Sequence, residues 1–285
     1  MSTSKAAGVL IPIGGNEDKG EDENFTLDYI NGGILSHVVN ECGGKDASIV
    51  VIPTASSIPE KVAENYISAF KKLDCSNIKI LDIRNRDESE DPINLNLIEQ
   101  ANCVMFSGGN QSRIIQTIGN TSLHDLLIKK HKNEKFVIAG TSAGAMAMST
   151  DMIAGGSSAE SLLKGAVKLR EGLGFISDLV IDSHFIRRGR FGRLAEAMAS
   201  LPHLIGVGLA EDTGLVIKKG QFKVIGSGMV VVFDPSKLVH NSHEILYNGT
   251  PMSMSNLIVH VLANGDRFKM EKRKIKILPL EEHFV

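Results

Sequence analysis

Phe136-Val-Ile-Ala-Gly140-Thr-Ser142-Ala-Gly144 is the stretch of sequence that decides the fold. A short apolar run ends in G-x-S-x-G, and the residues that follow, Ala145–Met148, favour a helix. This pattern between a strand and a helix is typical of a nucleophile elbow, in which glycines permit a turn tight enough to expose the serine hydroxyl. The helix N-terminus then stabilises developing negative charge. The same pentapeptide also occurs where the serine only caps a helix, so the rest of the chain must decide.

Short apolar runs alternate with helical patterns over the first two-thirds of the chain. The predicted strands are Val9–Ile13, Ile49–Ile52, Ile78–Ile83, Cys103–Phe106 and Phe136–Ala139. The predicted helices carry apolar stripes at Ile34–Cys42, at Val62–Leu73 after a Ser57-x-x-Glu60 capping box, and at Ile114–Ile118. This alternation predicts an α/β fold, a mainly parallel sheet flanked by helices on both faces. Loops that follow its strands, including Gly14-Gly15-Asn16, should converge on one edge.

The last third of the chain has a different pattern. Leu215–Ile217 and Phe222–Ile225 flank Lys218-Lys-Gly-Gln221, which predicts a β-hairpin, and Met229–Phe233 continues the strand character. Isoleucines alternate with cations near the basic stretch Lys269–Lys276, which favours a solvated edge strand over a nucleic-acid site. Since no repeat or linker interrupts the chain, we expect residues 1–285 to form one α/β domain with C-terminal β-hairpin additions.

Composition excludes several classes of function. The 285 residues are 42% hydrophobic and 22% charged, and the formal net charge is −2, so no global field recruits nucleic acid or an anionic membrane. Three cysteines without C-x-x-C spacing favour a reducing compartment, and no apolar leader or long uncharged span is seen. We therefore expect a cytoplasmic protein. His240 and His243 share a polar loop without a supporting carboxylate pattern, so we expect neither a metal nor a cofactor.

A nucleophilic serine needs a base, and His184 is the best candidate among nine histidines. Leu179–Asp182 predicts a strand, and His184 lies at its carboxyl end, where ligand-binding groups of such sheets are found. Arg188, Arg190 and Arg193 follow closely. They suit a pocket that binds carboxylates, although a solvated basic turn would explain them equally.

The acid that orients the base should end another strand. Ile205–Ala210 reads as a buried strand, and Glu211 and Asp212 terminate it. Glu211 is the better candidate because Asp212 is explained by the turn that it starts. Backbone N–H groups of Gly109, in the Ser107–Gln111 loop, and of Ala143 suit an oxyanion hole.

Five motifs in order resemble the cyanophycinases, in the serine peptidase family that also contains peptidase E (aspartyl dipeptidase). They are I-P-I-G-G-N-E-D-K from Ile11, F-S-G-G-N-Q from Phe106, G-T-S-A-G-A-M-A-M-S from Gly140, D-S-H-F-I-R-R-G-R-F-G-R-L from Asp182 and G-V-G-L-A-E-D-T from Gly206. The order Ser…His…acid differs from that of the α/β-hydrolases.

The resemblance implies roles for individual residues. Ser142 is then the nucleophile, His184 the base and Glu211 its orienting acid. The positions that line the substrate pocket are Gln111, Asp182, Ser183, Arg188, Arg190 and Arg193. Ser183 departs from the family, which usually has glutamine there.

The resemblance also implies a substrate and an assembly. Cyanophycin is a poly-aspartate with arginine joined to each β-carboxyl group, and the expected reaction releases β-Asp-Arg dipeptides through an acyl-enzyme. The expected assembly is a homodimer. Two alternatives remain: a dipeptidase E-like hydrolase of small aspartyl or isoaspartyl peptides, and a binding or amidotransferase-like scaffold without chemistry.

Overall fold

A computed structural model of the chain describes residues 6–21, 27–156 and 160–277. Its strands are β1 (Val9–Ile13), β2 (Ile49–Ile52), β3 (Ile78–Ile80), β4 (Cys103–Phe106), β5 (Val137–Thr141), β6 (Asp151–Gly155), β7 (Lys168–Glu171), β8 (Leu179–Asp182), β9 (Ile205–Leu209), β10 (Thr213–Lys218), β11 (Gln221–Gly226), β12 (Val230–Asp234), β13 (His240–Asn241), β14 (Met254–Ser255), β15 (Ile258–Leu262), β16 (Arg267–Lys269) and β17 (Lys274–Lys276). Its helices are α1 (Ile34–Glu41), α2 (Pro59–Lys72), α3 (Pro92–Glu99), α4 (Gln111–Ile118), α5 (Ser122–Asn133), α6 (Ala143–Ala147) and α7 (Phe191–Ser200), with 3₁₀ turns at Asp87–Ser89 and Pro235–Lys237.

A nine-stranded central sheet carries the site. Within the described residues its order is β17-β16-β11-β10-β1-β5-β4-β2-β3. The pairs from β1 to β3 are parallel, whereas β10, β11, β16 and β17 pair antiparallel. The predicted α/β class is confirmed, and its parallel character is confined to β1 and the strands on the β3 side of it.

Alternate residues of the parallel strands face opposite layers of helices. Leu10 belongs to a buried cluster that includes residues of α4 and α5, whereas Ile11 belongs to a second cluster with residues of α1 and α2. Both layers exclude water, since Ile114 of α4 and Phe70 of α2 are fully buried. Burial of each such side chain stabilises the fold by about 1.5–3 kcal/mol. Helices therefore cover both faces, as predicted.

A second sheet, ordered β15-β12-β9-β8, lies beside the first. Strands β8 and β9 are parallel, so their carboxyl ends lie side by side. Both strands are buried throughout, and α7 packs against β9. The two strands predicted to carry the base and the acid are thus confirmed, but they form their own sheet.

The C-terminal predictions hold in outline. Strands β10 and β11 form the expected hairpin, with Lys218 paired to Gln221. Lys219 and Gly220 between them both have positive φ (53° and 72°), as a two-residue hairpin turn requires. Strand β17, within the basic stretch, is the outermost strand of the central sheet. The segments 1–5 and 278–285 lie outside the described residues.

Two local predictions were wrong. Helix α2 starts at Pro59 behind Ile58, without a side-chain cap, so Ser57 and Glu60 form no capping box. Instead the Ser56 hydroxyl accepts a hydrogen bond from the Ile58 N–H, which orders the turn before the helix. Strand β3 also ends at Ile80 rather than at Ile83.

No helix in the described ranges combines the length and the apolar character that crossing a membrane demands.

Candidate active site

Three side chains meet where β5, β8 and β9 end. The Ser142 Oγ lies 3.0 Å from Nε2 of His184. Nδ1 of the same imidazole lies 2.7 Å from Oε1 of Glu211. A hydroxyl, an imidazole and a carboxylate in this chain of contacts can activate the hydroxyl as a nucleophile, because the imidazole accepts its proton while the carboxylate fixes the ring.

Ser142 occupies an unusual backbone conformation between β5 and α6, with φ 51° and ψ −105°. Non-glycine residues held in sparsely populated conformations of this kind cost about 1–3 kcal/mol each. The turn is held by close packing, since a Cβ on Gly144 would lie 2.7 Å from the carbonyl oxygen of Phe106. The second glycine of G-x-S-x-G is therefore required by the approach of α6 to β4.

Three consecutive carbonyl groups at the carboxyl end of β1 position the three segments of the site. The Ile13 carbonyl accepts a hydrogen bond from the Ser142 N–H. The next carbonyl, of Gly14, accepts from the N–H of His184, and that of Gly15 accepts from the N–H of Asp212. We call Ile13-Gly14-Gly15 the template segment. Gly15 has φ 107°, and a Cβ on it would lie 2.4 Å from the His184 ring, so only glycine fits there.

The charges around the imidazole favour its neutral form. Burial lowers the pKa of His184 below 6.5; Glu211 raises it, and Arg188 and Arg190 lower it further. Burial also raises the pKa of Glu211, but hydrogen bonds from Arg187 and His184 outweigh this and hold it below its ordinary value. At neutral pH the pair is therefore a neutral base beside an ionised acid, as proton abstraction requires.

Glu211, not its neighbour Asp212, contacts the imidazole. The Asp212 carboxylate accepts hydrogen bonds from the Asp18 N–H and the Ser227 hydroxyl instead. Burial raises the pKa of Asp212. Asp212 thus ties the template segment's loop to the end of β11, and the choice between the two acids made from the sequence agrees with this geometry.

A cavity of about 420 Å³ opens beside the nucleophile. The residues that line it are Gly15, Asn16, Glu17, Lys19, Val62, Asn65, Tyr66, Gly108, Gly109, Thr141, Ser142, His184 and Arg188. Gly109 of the β4–α4 loop borders this cavity together with Ser142, and Ala143 is the first residue of α6, directly after the nucleophile. Their N–H groups are the candidates to stabilise an oxyanion.

The other predicted pocket residues lie elsewhere. Asp182 is fully buried and binds Arg190 at 2.9 Å and the Nε of Arg193 at 2.8 Å. Arg193 also donates to the Gly156 carbonyl. Burial lowers the pKa of Arg190 to about 10, which leaves it charged at neutral pH. The arginines therefore do not form a solvated basic turn, and they are not all free to bind a substrate carboxylate. Arg190 and Arg193 instead pair with the buried carboxylate of Asp182.

Ser183 and Gln111 also make internal contacts. The Ser183 hydroxyl is buried against Sδ of Met146 at 3.2 Å, and the Gln111 amide donates to the Ile153 carbonyl at 2.9 Å. Arg188 differs from all of these, since it is exposed and borders the cavity. Of the predicted substrate-contact residues, Arg188 is the one that the structure places beside Ser142.

The sequence of this chain is similar to those of known peptidases. Residues 24–225 match the family described as Peptidase family S51. The chain belongs to peptidase family S51. It is 34% identical over 260 residues to a protein named cyanophycinase from Geminocystis herdmanii (strain PCC 6308), which covers 91% of this chain and 92% of the relative. A cyanophycinase from Trichormus variabilis is 33% identical over 268 residues, covering 94% of this chain and 87% of the relative.

Two solved peptidase structures share the fold. A peptidase from an acI-B1 Actinobacterium superposes with a TM-score of 0.61 at 21% identity, over 91% of this chain and 98% of the other. A putative peptidase E from Listeria monocytogenes EGD-e gives 0.52 at 16% identity, over 78% of this chain and 99% of the other. The family resemblance seen in five motifs is confirmed, and the S51 member described here is a serine-type peptidase.

Two features of this S51 site were missed by sequence reasoning. Arg187 donates to the second oxygen of Glu211 at 2.8 Å, and nothing in the sequence distinguishes it from the three arginines that follow it. Glu17 lies buried beside the cavity in contact with Lys19, Tyr66 and Thr141. The signal for Glu17 was present: three charged residues, Glu17-Asp-Lys19, follow a glycine loop at the carboxyl end of a strand.

Two other histidines among the described residues contact ordinary polar groups. His240 contacts the Ser253 hydroxyl, and His124 contacts the Leu173 carbonyl in the core. In the part of the chain that the structure describes, no three His, Cys, Asp or Glu side chains are grouped as metal ligands.

Proposed function

We propose that this chain is a serine exopeptidase that hydrolyses cyanophycin to β-Asp-Arg dipeptides through an acyl-enzyme on Ser142. The observation that carries the proposal is the contact series from Ser142 through His184 to Glu211. The support for cyanophycin as the substrate comes from the relatives named cyanophycinase, which align with more than nine-tenths of the chain.

In the proposed mechanism the Ser142 oxygen attacks the scissile carbonyl while Nε2 of His184 takes its proton. The carbonyl oxygen becomes an oxyanion, which the N–H groups of Gly109 and Ala143 stabilise. When the tetrahedral intermediate collapses, the C–N bond breaks, and His184 gives its proton to the leaving amine. Water then attacks the ester with the same proton transfers, which releases the acid and restores the hydroxyl.

The proposed substrate contacts divide into two sets. Arg188 faces the cavity and suits a carboxylate. Asp182, Arg190 and Arg193 form an ion-pair cluster around a fully buried carboxylate, which supports a role in holding the segment that carries His184. Gln111 and Ser183 make internal contacts. Since the Ser183 side chain is buried, its departure from the family does not weaken the proposed substrate.

The experiment that tests the function offers the purified protein two substrate types. Insoluble cyanophycin should be converted to β-Asp-Arg, detected by mass spectrometry, with much less hydrolysis of free aspartyl or isoaspartyl dipeptides. Ser142→Ala should lower turnover by about 10⁴-fold or more without changing the fold. Preference for free dipeptides would favour the dipeptidase E-like alternative, and near-normal activity of Ser142→Ala would refute the mechanism.

We also propose that the protein is a cytoplasmic homodimer with one folded domain. All three cysteines are free and buried, which supports a reducing compartment. Side chains of both sheets share one buried cluster, including Leu10 of β1 and Val232 of β12, which supports a single domain. Cell fractionation, light scattering and calorimetry test these three statements separately: a secreted protein, a monomer mass or two independent transitions would each refute one of them.

A further inference from the structure

Among the residues that the structure describes, the charged side chains that border the cavity are Glu17, Lys19 and Arg188. Two are cations and one is a carboxylate, so a ligand in this cavity meets an excess of positive charge. Arg190 and Arg193, by contrast, pair with Asp182 behind the site. A substrate carboxylate near Ser142 must therefore find its partners among the cations that face the cavity.

Glu17 is not available to the substrate. Its side chain is about 1% exposed, and both carboxylate oxygens are occupied. Oε1 accepts hydrogen bonds from Tyr66 and Lys19, and Oε2 accepts from the hydroxyl of Thr141. Burial raises the pKa of Glu17, but Lys19, Thr141 and Tyr66 together hold it below its ordinary value, so the group stays ionised. Glu17 is a fixed anchor beneath the cavity.

Lys19 is held by that anchor. Its Nζ donates to Oε1 of Glu17 at 2.9 Å and to the Glu17 carbonyl at 3.2 Å, and it lies 5.2 Å from the centroid of the Tyr66 ring. An ammonium group has three N–H donors, so one remains. The side chain is 26% exposed, which leaves this donor access to the cavity. A lysine fixed in this way loses little conformational freedom when it binds a ligand.

We propose that Lys19 is a specificity-determining residue that binds a carboxylate of the substrate beside the scissile bond, with Arg188 as the second cation. The inference rests on the proposed function, because the arginine of each cyanophycin unit carries a free α-carboxylate next to the aspartate backbone. A charge-assisted contact to this carboxylate selects arginine over a decarboxylated analogue. Lys19 thus does what the sequence analysis expected of Arg190 and Arg193.

The test compares two synthetic oligomers of β-linked Asp-Arg. One is the natural oligomer, and in the other each arginine is replaced by agmatine, which keeps the guanidinium but lacks the α-carboxylate. Lys19→Met should lower kcat/KM on the natural oligomer by about 10- to 100-fold, the cost of one charge-assisted contact. On the agmatine oligomer the same variant should lose less than about threefold, since the carboxylate is already absent.

Lys72→Met is the matched control. Lys72 Nζ donates to the carbonyls of Lys19 and Gly20, so it supports the same loop without bordering the cavity. Lys72→Met should change kcat/KM by the same factor on both oligomers. If Lys19→Met also loses the same factor on both, Lys19 only supports Glu17, and the proposal is overturned.

The wild-type enzyme supplies a second measurement that does not depend on the variant folding. It should prefer the natural oligomer by at least about tenfold in kcat/KM; equal rates overturn the role of Lys19 while leaving the cyanophycinase activity intact. No hydrolysis of either oligomer or of cyanophycin itself overturns the proposed function and the role of Lys19 together.

Discussion

Asp182 and His184 lie two residues apart at the carboxyl end of β8, yet their surroundings are opposite. The His184 side chain is 13% exposed, borders the cavity and contacts Ser142 and Glu211, whereas the Asp182 side chain is fully buried between two arginines. One group can exchange a proton with a substrate, and the other holds charge where water is excluded. The comparison teaches that charged residues at one strand end can divide between chemistry and stability.

The largest expected effect is a fall in kcat when the acid that contacts His184 is replaced. Glu211→Gln should lower kcat by about 10⁴-fold, because the imidazole loses the carboxylate that fixes its tautomer and stabilises its protonated form. The measurement is single-turnover kinetics on soluble oligomers, with circular dichroism to check the fold.

Asp212→Asn is its matched control. Asp212 has no contact with His184, so we expect a loss of stability of about 1–3 kcal/mol from weakened buried hydrogen bonds and a change in kcat far below that of Glu211→Gln. A larger loss of kcat in Asp212→Asn than in Glu211→Gln would show that the orienting acid has been misassigned.

The next largest effect is a loss of stability on removal of the buried Asp182 carboxylate. Asp182→Ala leaves Arg190 and Arg193 without their shared carboxylate, and removal of one partner of a buried ion pair typically costs about 3–5 kcal/mol. Denaturant unfolding should show this loss. Unchanged stability with reduced kcat/KM would instead make Asp182 a substrate contact.

Arg188→Ala tests the exposed arginine, in contrast to the two arginines that pair with Asp182. Arg188 has no carboxylate partner among the described residues, so its loss should change stability by less than about 0.5 kcal/mol. Its kcat/KM on cyanophycin oligomers should fall by about 10- to 100-fold. Wild-type kcat/KM would remove Arg188 from the pocket.

The smallest effect is a shift in pH dependence. Activity requires neutral His184, whose pKa lies below 6.5 because of burial, so the rate should fall as pH drops through that lowered value. Arg187→Ala removes a cation from Glu211, and the freed carboxylate then stabilises the protonated imidazole. The acidic limb should therefore move to higher pH, and the shift should be small because Arg187 is exposed and its charge is screened by solvent.

Lys129→Ala controls for net charge, because Lys129 is an exposed cation on α5. It should leave the acidic limb in place. A shift of equal size in both variants, or a shift to lower pH in Arg187→Ala, would contradict the assignment of Arg187 as a positioning residue.

Much of the fold could be predicted because the inner strands of the two sheets are short, buried and mostly apolar runs. Val9–Ile13 and Leu179–Asp182 are buried along their whole length, and such runs are visible in the sequence. Ser142, His184 and Glu211 could be found because each ends one of these strands. What the sequence did not reveal is which charged neighbours pair with one another: the burial of Arg193 by Asp182 and the anchoring of Lys19 depend on packing between segments that are distant in the chain.

The template segment has a consequence for how activity arises during folding. Three successive carbonyls of one strand end hold the nucleophile, base and acid segments, and each contact joins residues far apart in the chain. Contacts of this kind form late, because long loops must close first. A molecule whose first strand has not docked therefore lacks the three backbone contacts that align the triad. The return of hydrolysis after dilution from denaturant then measures the rate of this last long-range closure. Hydrolysis is therefore confined to molecules in which all three of these long-range contacts have formed.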